Sequence, residues 1–145
     1  MKAQFCLASC VALVGVFAAC GDDEKGEPTA TACPTNSTVS YEKDVAPLMT
    51  AYCTTCHAAS VPVTQRRGAP KDHNFETEVG VLKEASHIDE EAGASDTVTN
   101  STMPPSGYPA PTVAERRKLS EWIACNEVAG ADHDHDGEEG DHDHM

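Results

Sequence analysis

Aromatic side chains are scarce in this chain, seven in 145 residues, and only one of them is a tryptophan. Bases are scarce against acids: ten Lys and Arg face 24 Asp and Glu, for a formal charge of −14. Such a balance leaves no positive stripe for a phosphate backbone, so nucleic acid is not the expected partner and a basic protein face is the natural one. Alternating β-branched runs are missing, which argues against a sheet. No apolar run is long enough to span a bilayer as a permanent helix. With so few large apolar residues, a domain of roughly ninety residues makes a poor core and calls for a covalent staple or a cofactor.

The apolar run that is present, Phe5 to Ala19, follows Lys2 and has the layout of a secretory signal. It ends in Phe17-Ala18-Ala19-Cys20-Gly21, two small residues before a cysteine. This resembles a bacterial lipobox, with Phe17 at the position Leu usually takes, and implies a lipid on Cys20. The competing readings are an ordinary signal cut after Ala19 and an uncleaved signal anchor. Export places the protein outside the cytosol, on a bacterial membrane facing the periplasm or exterior, where disulfides persist. The seven cysteines then sort cleanly. Cys6 and Cys10 leave with residues 1–19, Cys20 takes lipid, Cys53 and Cys56 form a C-x-x-C pair, and Cys33 with Cys125 remain for one disulfide.

Charge divides the mature chain further. Residues 20–39 hold four acids and one base among Gly, Pro, Thr and Ser, and read as a flexible tether. Residues 130–145 hold seven acids and no base, with His133, His135, His142 and His144 alternating with Asp. This tail reads as disordered, either simply solvated or loosely binding transition metals. The domain lies between them, at 40–129, with a net charge of only −5.

Its secondary-structure signals are helical. Over residues 44–55, Asp44 is a candidate cap, Pro47 falls in the first turn, and Val45, Leu48, Met49 and Tyr52 recur at helical spacing. Over 74–86, Asn74 is a candidate cap, Phe75, Val79 and Leu82 form one stripe, and Gly80 weakens the pattern. A third helix opens on the capping box Thr112/Glu115. It carries Val113, Leu119, Trp122 and Ile123 on one side and closes near Asn126. The expected fold class is all-α, three main helices with long loops.

Cys53-Thr54-Thr55-Cys56-His57 is the C-x-x-C-H signature of covalent haem attachment. Residues three apart share a helical face, so both thiols can reach two vinyl groups along one haem edge. His57, four residues from Cys53, lies near that face as proximal iron ligand. A thioredoxin-like redox pair would need a βαβ setting, and a zinc site would need further ligands such as Cys125 and a tail histidine. An electron-transfer haem usually takes a sixth ligand, often a thioether. Met49 sits one turn before Cys53 and cannot cross to the other haem face, and Met145 ends the tail. Met103 remains, in Thr102-Met103-Pro104-Pro105, where two prolines stiffen the loop. Its competing reading is a core-filling residue.

Y-E-K-D-V-A-P-L-M-T-A-Y-C-T-T-C-H, then M-P-P, then L-S-E-W-I-A-C, resembles the small mono-haem cytochrome c domain family over about residues 41–126. The resemblance implies a class I cytochrome c-like fold around one haem c, with Trp122 packing against the helix before Cys53. It implies a Pro carbonyl that orients the ligand imidazole, for which Pro70, thirteen residues after His57, is the candidate. Arg66 and Arg67 are candidates to pair with haem propionates, or else an exposed basic pair. His73 and His87 read as solvated surface residues, with replacement of Met103 as ligand the lesser reading. The expected function is single-electron transfer to redox partner proteins, with no catalytic residue and with the membrane engaged through the lipid alone. The alternatives are a haem-based sensor or peroxidase-like enzyme with an open distal face, and a metal-binding lipoprotein using its tail.

Overall fold

The computed structural model describes residues 26–127. The signal at 1–19, the lipid site Cys20 and the His/Asp tail at 130–145 lie outside them. Among the described residues the fold is helical, with no strand and one isolated bridge between Ala94 and Thr99. No helix among them is long and apolar enough to cross a membrane.

The first helical region starts earlier than the pattern suggests. A wide π-turn at Tyr41–Val45 runs into α1 (Ala46–Tyr52), and after a joint at Cys53 comes α2 (Thr54–His57). Ser40, not Asp44, is the cap: its hydroxyl accepts from the Lys43 N–H at 3.4 Å. Asp44 answers from inside the turn, accepting from the Ser40 N–H at 3.2 Å and from Lys118 at 2.8 Å. These bonds hold its carboxyl below the usual carboxylate range. Pro47, which has no N–H to donate, falls where the π-turn gives way to α-helix.

The expected helix at 74–86 is corrected in start, phase and length. Thr77 caps α3 (Glu78–Lys83), accepting from the Gly80 N–H at 3.2 Å; the chain breaks at Glu84 and resumes as α4 (Ala85–Ala92). Starting three residues later moves the buried stripe to Val81, Ala85 and Ile88 and leaves Val79 77% exposed. Gly80 has a packing reason, because a Cβ there would sit 1.9 Å from the Asn74 carbonyl oxygen.

A loop then leads to α5 (Val113–Glu127). Its capping box is reciprocal: Glu115 accepts from the Thr112 N–H at 2.7 Å, and Thr112 accepts from the Glu115 N–H at 3.3 Å. Asn126 closes the other end by donating to the Trp122 carbonyl at 2.8 Å. Val113 is exposed rather than inward, and Arg116 and Ser120 are buried alongside Leu119, Trp122 and Ile123. The core joins Val45, Leu48 and Met49 to Phe75, Val81 and Ile88, and to the apolar face of α5. Trp122 meets Tyr41, with ring centroids 5.7 Å apart.

Residues 26–39 do not behave as the flexible tether their composition suggests. Thr29 is buried and donates to Asp89 twice, from its N–H at 2.8 Å and its hydroxyl at 3.0 Å. Asn100 clasps Glu27, donating to its carbonyl at 2.7 Å and accepting from its N–H at 3.2 Å. Cys33 and Cys125 form a disulfide pair with Cα atoms 4.6 Å apart, within the range such bonds span. Polar side chains on α4 and the following loop supply what the composition of the segment lacks.

Candidate functional site

Cys53 is the hinge between α1 and α2, and the short α2 turn follows directly from it. Its carbonyl accepts from the Cys56 N–H at 3.1 Å and the His57 N–H at 2.9 Å. Cys53, Cys56 and His57 are thereby gathered on one turn of chain. Both thiols are unpaired. Burial pushes the Cys53 thiol up to about 12, against the opposing pull of the Arg116 guanidinium.

His57 sits over Phe75, ring centroids 4.5 Å apart and planes within 13°. Burial, then the neighbouring His73, pushes its imidazole down to about 4; Arg66 and His87 add to this, and the His73 carbonyl opposes it. At neutral pH the ring is therefore uncharged, the state in which an imidazole offers a lone pair to a metal. Its Nδ1 is buried and has no hydrogen-bond partner. The His73 carbonyl acts on the ring without meeting hydrogen-bond geometry.

The Pro70 carbonyl does not hold this ring. It is taken by Arg66 Nη2 and by the His73 N–H. Arg66 departs from both of its expected roles, since it is neither an exposed base nor free for a propionate. Only 2% exposed, it also donates to Ala58 O at 2.7 Å, Ala69 O at 3.2 Å, His73 O at 2.8 Å and Asn74 Oδ1 at 3.2 Å. One guanidinium thus folds the 58–74 loop around itself, because a loop with no ladder needs donors for its inward carbonyls. We expect Arg66→Met to cost roughly 3 kcal/mol, since several buried acceptors lose their donor together. A thermal melt within about 0.5 kcal/mol of the unmutated protein would sink this account. Arg67 is exposed, and its guanidinium lies 5.3 Å above the Tyr108 ring, a cation–π contact between two loops.

Met103 stands on the loop before α5, and its backbone is pinned on both sides. Its N–H donates to Glu91 O at 2.9 Å, and its carbonyl accepts from Arg116 Nη1 at 3.0 Å. Arg116 also donates to Ala92 O at 2.9 Å and Pro111 O at 3.3 Å. The same guanidinium acts on Cys53, so it links the Met103 loop to the thiol end of the site. Met103 is 37% exposed, which corrects the core-filling reading. Arg116 was not singled out by the sequence pattern; its one signal was falling on the inward stripe of an otherwise clear amphipathic helix.

The His73 side chain is mostly buried rather than solvated. Its ring stacks near Phe75 at 6.0 Å and meets Glu84 at 3.3 Å. His87 is exposed and touches the His73 ring edge-on at 5.4 Å.

The residues present fit a covalently held haem. Two free thiols three residues apart are followed directly by a neutral imidazole whose buried Nδ1 has no partner. An imidazole that ligates through Nε2 carries its proton on Nδ1 and is steadied by an acceptor there; the His73 carbonyl, which acts on the ring, also accepts from Arg66 at 2.8 Å. Comparison with family models, curated proteins and solved structures gives no match.

Proposed function

We propose that this protein is a lipid-anchored, exported electron carrier with one c-type haem, in a fold similar to class I cytochrome c. The observation that carries the reading is the α2 turn, with two unpaired thiols beside a neutral imidazole. When bound, the haem supplies reversible one-electron chemistry. Cys53 and Cys56 would hold it by thioether bonds, His57 would ligate through Nε2, and Met103 would approach from its pinned loop. Phe75 keeps the imidazole plane fixed, and Arg116 fixes the backbone of Met103.

The competing uses of C-x-x-C lose support. No strand among the described residues supplies the βαβ setting of a thioredoxin-like pair. Cys125 is engaged with Cys33, and the grouping of metal-type donors among the described residues contains neither Cys53 nor Cys56. A second reading keeps the haem and opens its distal face for sensing or peroxide chemistry, and the exposure of Met103 favours it. The tail-based metal-binding reading concerns residues outside those described.

The test is chemical. In protein made by a host with haem-attachment machinery, acid-acetone extraction should leave the colour on the polypeptide, which gains the mass of one haem. Colour passing wholly into the solvent would exclude thioether linkage. Cys53→Ser with Cys56→Ser should abolish retention altogether.

A further inference from the structure

We infer that Asp72, His73 and Glu84 form a divalent transition-metal site beside the Phe75 ring on which His57 also packs, with His87 as the added nitrogen donor. This site goes beyond the haem reading and does not depend on it. One donor atom from each of Asp72, His73 and Glu84 lies within 4.8 Å of the others. His73 Nε2 and Glu84 Oε2 are 3.3 Å apart. Two donors on one tetrahedral ion, with bonds of about 2.0–2.1 Å, are separated by about 3.3 Å, so this pair already stands at bridging distance.

The donors are held rather than adrift. His73 is fixed at its carbonyl by Arg66 at 2.8 Å and at its ring by Phe75 at 6.0 Å. Glu84 is the joint between α3 and α4, and its side chain, like that of His73, is mostly buried. His87 lies one turn further along α4, exposed and outside that grouping, its ring 5.4 Å from that of His73, so its side chain would have to turn toward the ion to add a donor. The cluster already gathers positive charge: Lys83 Nζ stands 3.3 Å from Glu84 and 3.8 Å from Asp72. Lys83 is well exposed, so a doubly charged ion can displace it into solvent. Imidazole with carboxylate suits Zn²⁺ or Cu²⁺ better than Ca²⁺ or Mg²⁺, which prefer all-oxygen cages.

The location gives the site its interest. His73 and His57 both pack on Phe75, at 6.0 and 4.5 Å, and their own rings lie 6.2 Å apart. An ion on His73 would rigidify the stack that orients His57.

The experiment titrates Zn²⁺ alone into the isotope-labelled mature chain, read by amide NMR so that the tail histidines report separately. The amides of His73, Glu84 and His87 should shift together and saturate. Glu84→Gln, which preserves shape, should weaken that saturation on the order of tenfold or more. His73→Gln should abolish it while leaving any response of residues 130–145 intact. If His73→Gln disturbs Phe75, the exposed His87→Gln decides, with a weaker but measurable loss expected. Shifts confined to residues 130–145, or unchanged affinity in Glu84→Gln, would overturn the site and leave a plain His–Glu ion pair. Because the readout is amide shift, failure of covalent haem attachment leaves this result distinguishable.

Discussion

Met103→Ala should turn a ferrous protein that resists carbon monoxide into one that takes it up readily. A thioether is a soft ligand that favours the reduced iron and fills the sixth position. The loop presenting it has little freedom: Met103 is bonded through its N–H to Glu91 and through its carbonyl to Arg116, and two prolines follow. Backbone restraint of this kind lets an exposed sulfur stay available without wandering. The oxidised, unmutated protein should accordingly show the weak long-wavelength absorption of iron–sulfur bonding, and Met103→Ala should lose it. Should the unmutated protein bind carbon monoxide at once, with the variant indistinguishable from it, the open-face reading replaces electron transfer.

The second large effect lies in the covalent staple. The bond between Cys33 and Cys125 closes a loop across a sequence separation of 92. In the chain-entropy account, closing a loop of that length removes about 4–5 kcal/mol of unfolded-state freedom. Replacing both cysteines by Ser should therefore lower the melting temperature by roughly 20–30 °C, at about 4–8 °C per kcal/mol for a domain of this size. Heating followed by circular dichroism, at equal haem content, measures it. A fall of only a few degrees would mean that the hydrogen bonds of Thr29 and Glu27 to Asp89 and Asn100 hold the N-terminal segment without the bond.

Elements governed by local chemistry were legible in the sequence. Thr112 and Glu115 satisfy each other within one turn, and Leu119, Trp122 and Ile123 recur at helical spacing, so α5 could be drawn from its residues. Cys53, Cys56 and His57 are neighbours along the chain, and counting cysteines left the same pair, Cys33 and Cys125, that the structure brings together. What could not be read depends on partners far away or on irregular backbone. Asn74 was the candidate cap, but its side chain is used by Arg66 and its carbonyl lies against Gly80, and Thr77 starts the helix instead. Arg66 carries no periodic signal, because an arginine that collects loop carbonyls answers to the loop's shape rather than to any repeat. Pro70 was placed near His57 by resemblance, and the same guanidinium removes its carbonyl from that role.

If Cys20 carries the proposed lipid, the docked N-terminal segment also limits how far the domain can travel. Were residues 20–39 all slack, a lipid on Cys20 would leave the haem turn on a leash of several nanometres. With Gly26 against the domain, next to Glu90 and Asn100, the six links back to Cys20 can span at most about 20 Å. On the proposed reading, a carrier on so short a leash would work as a fixture of the bilayer surface, its electrons collected by partners that come to the membrane.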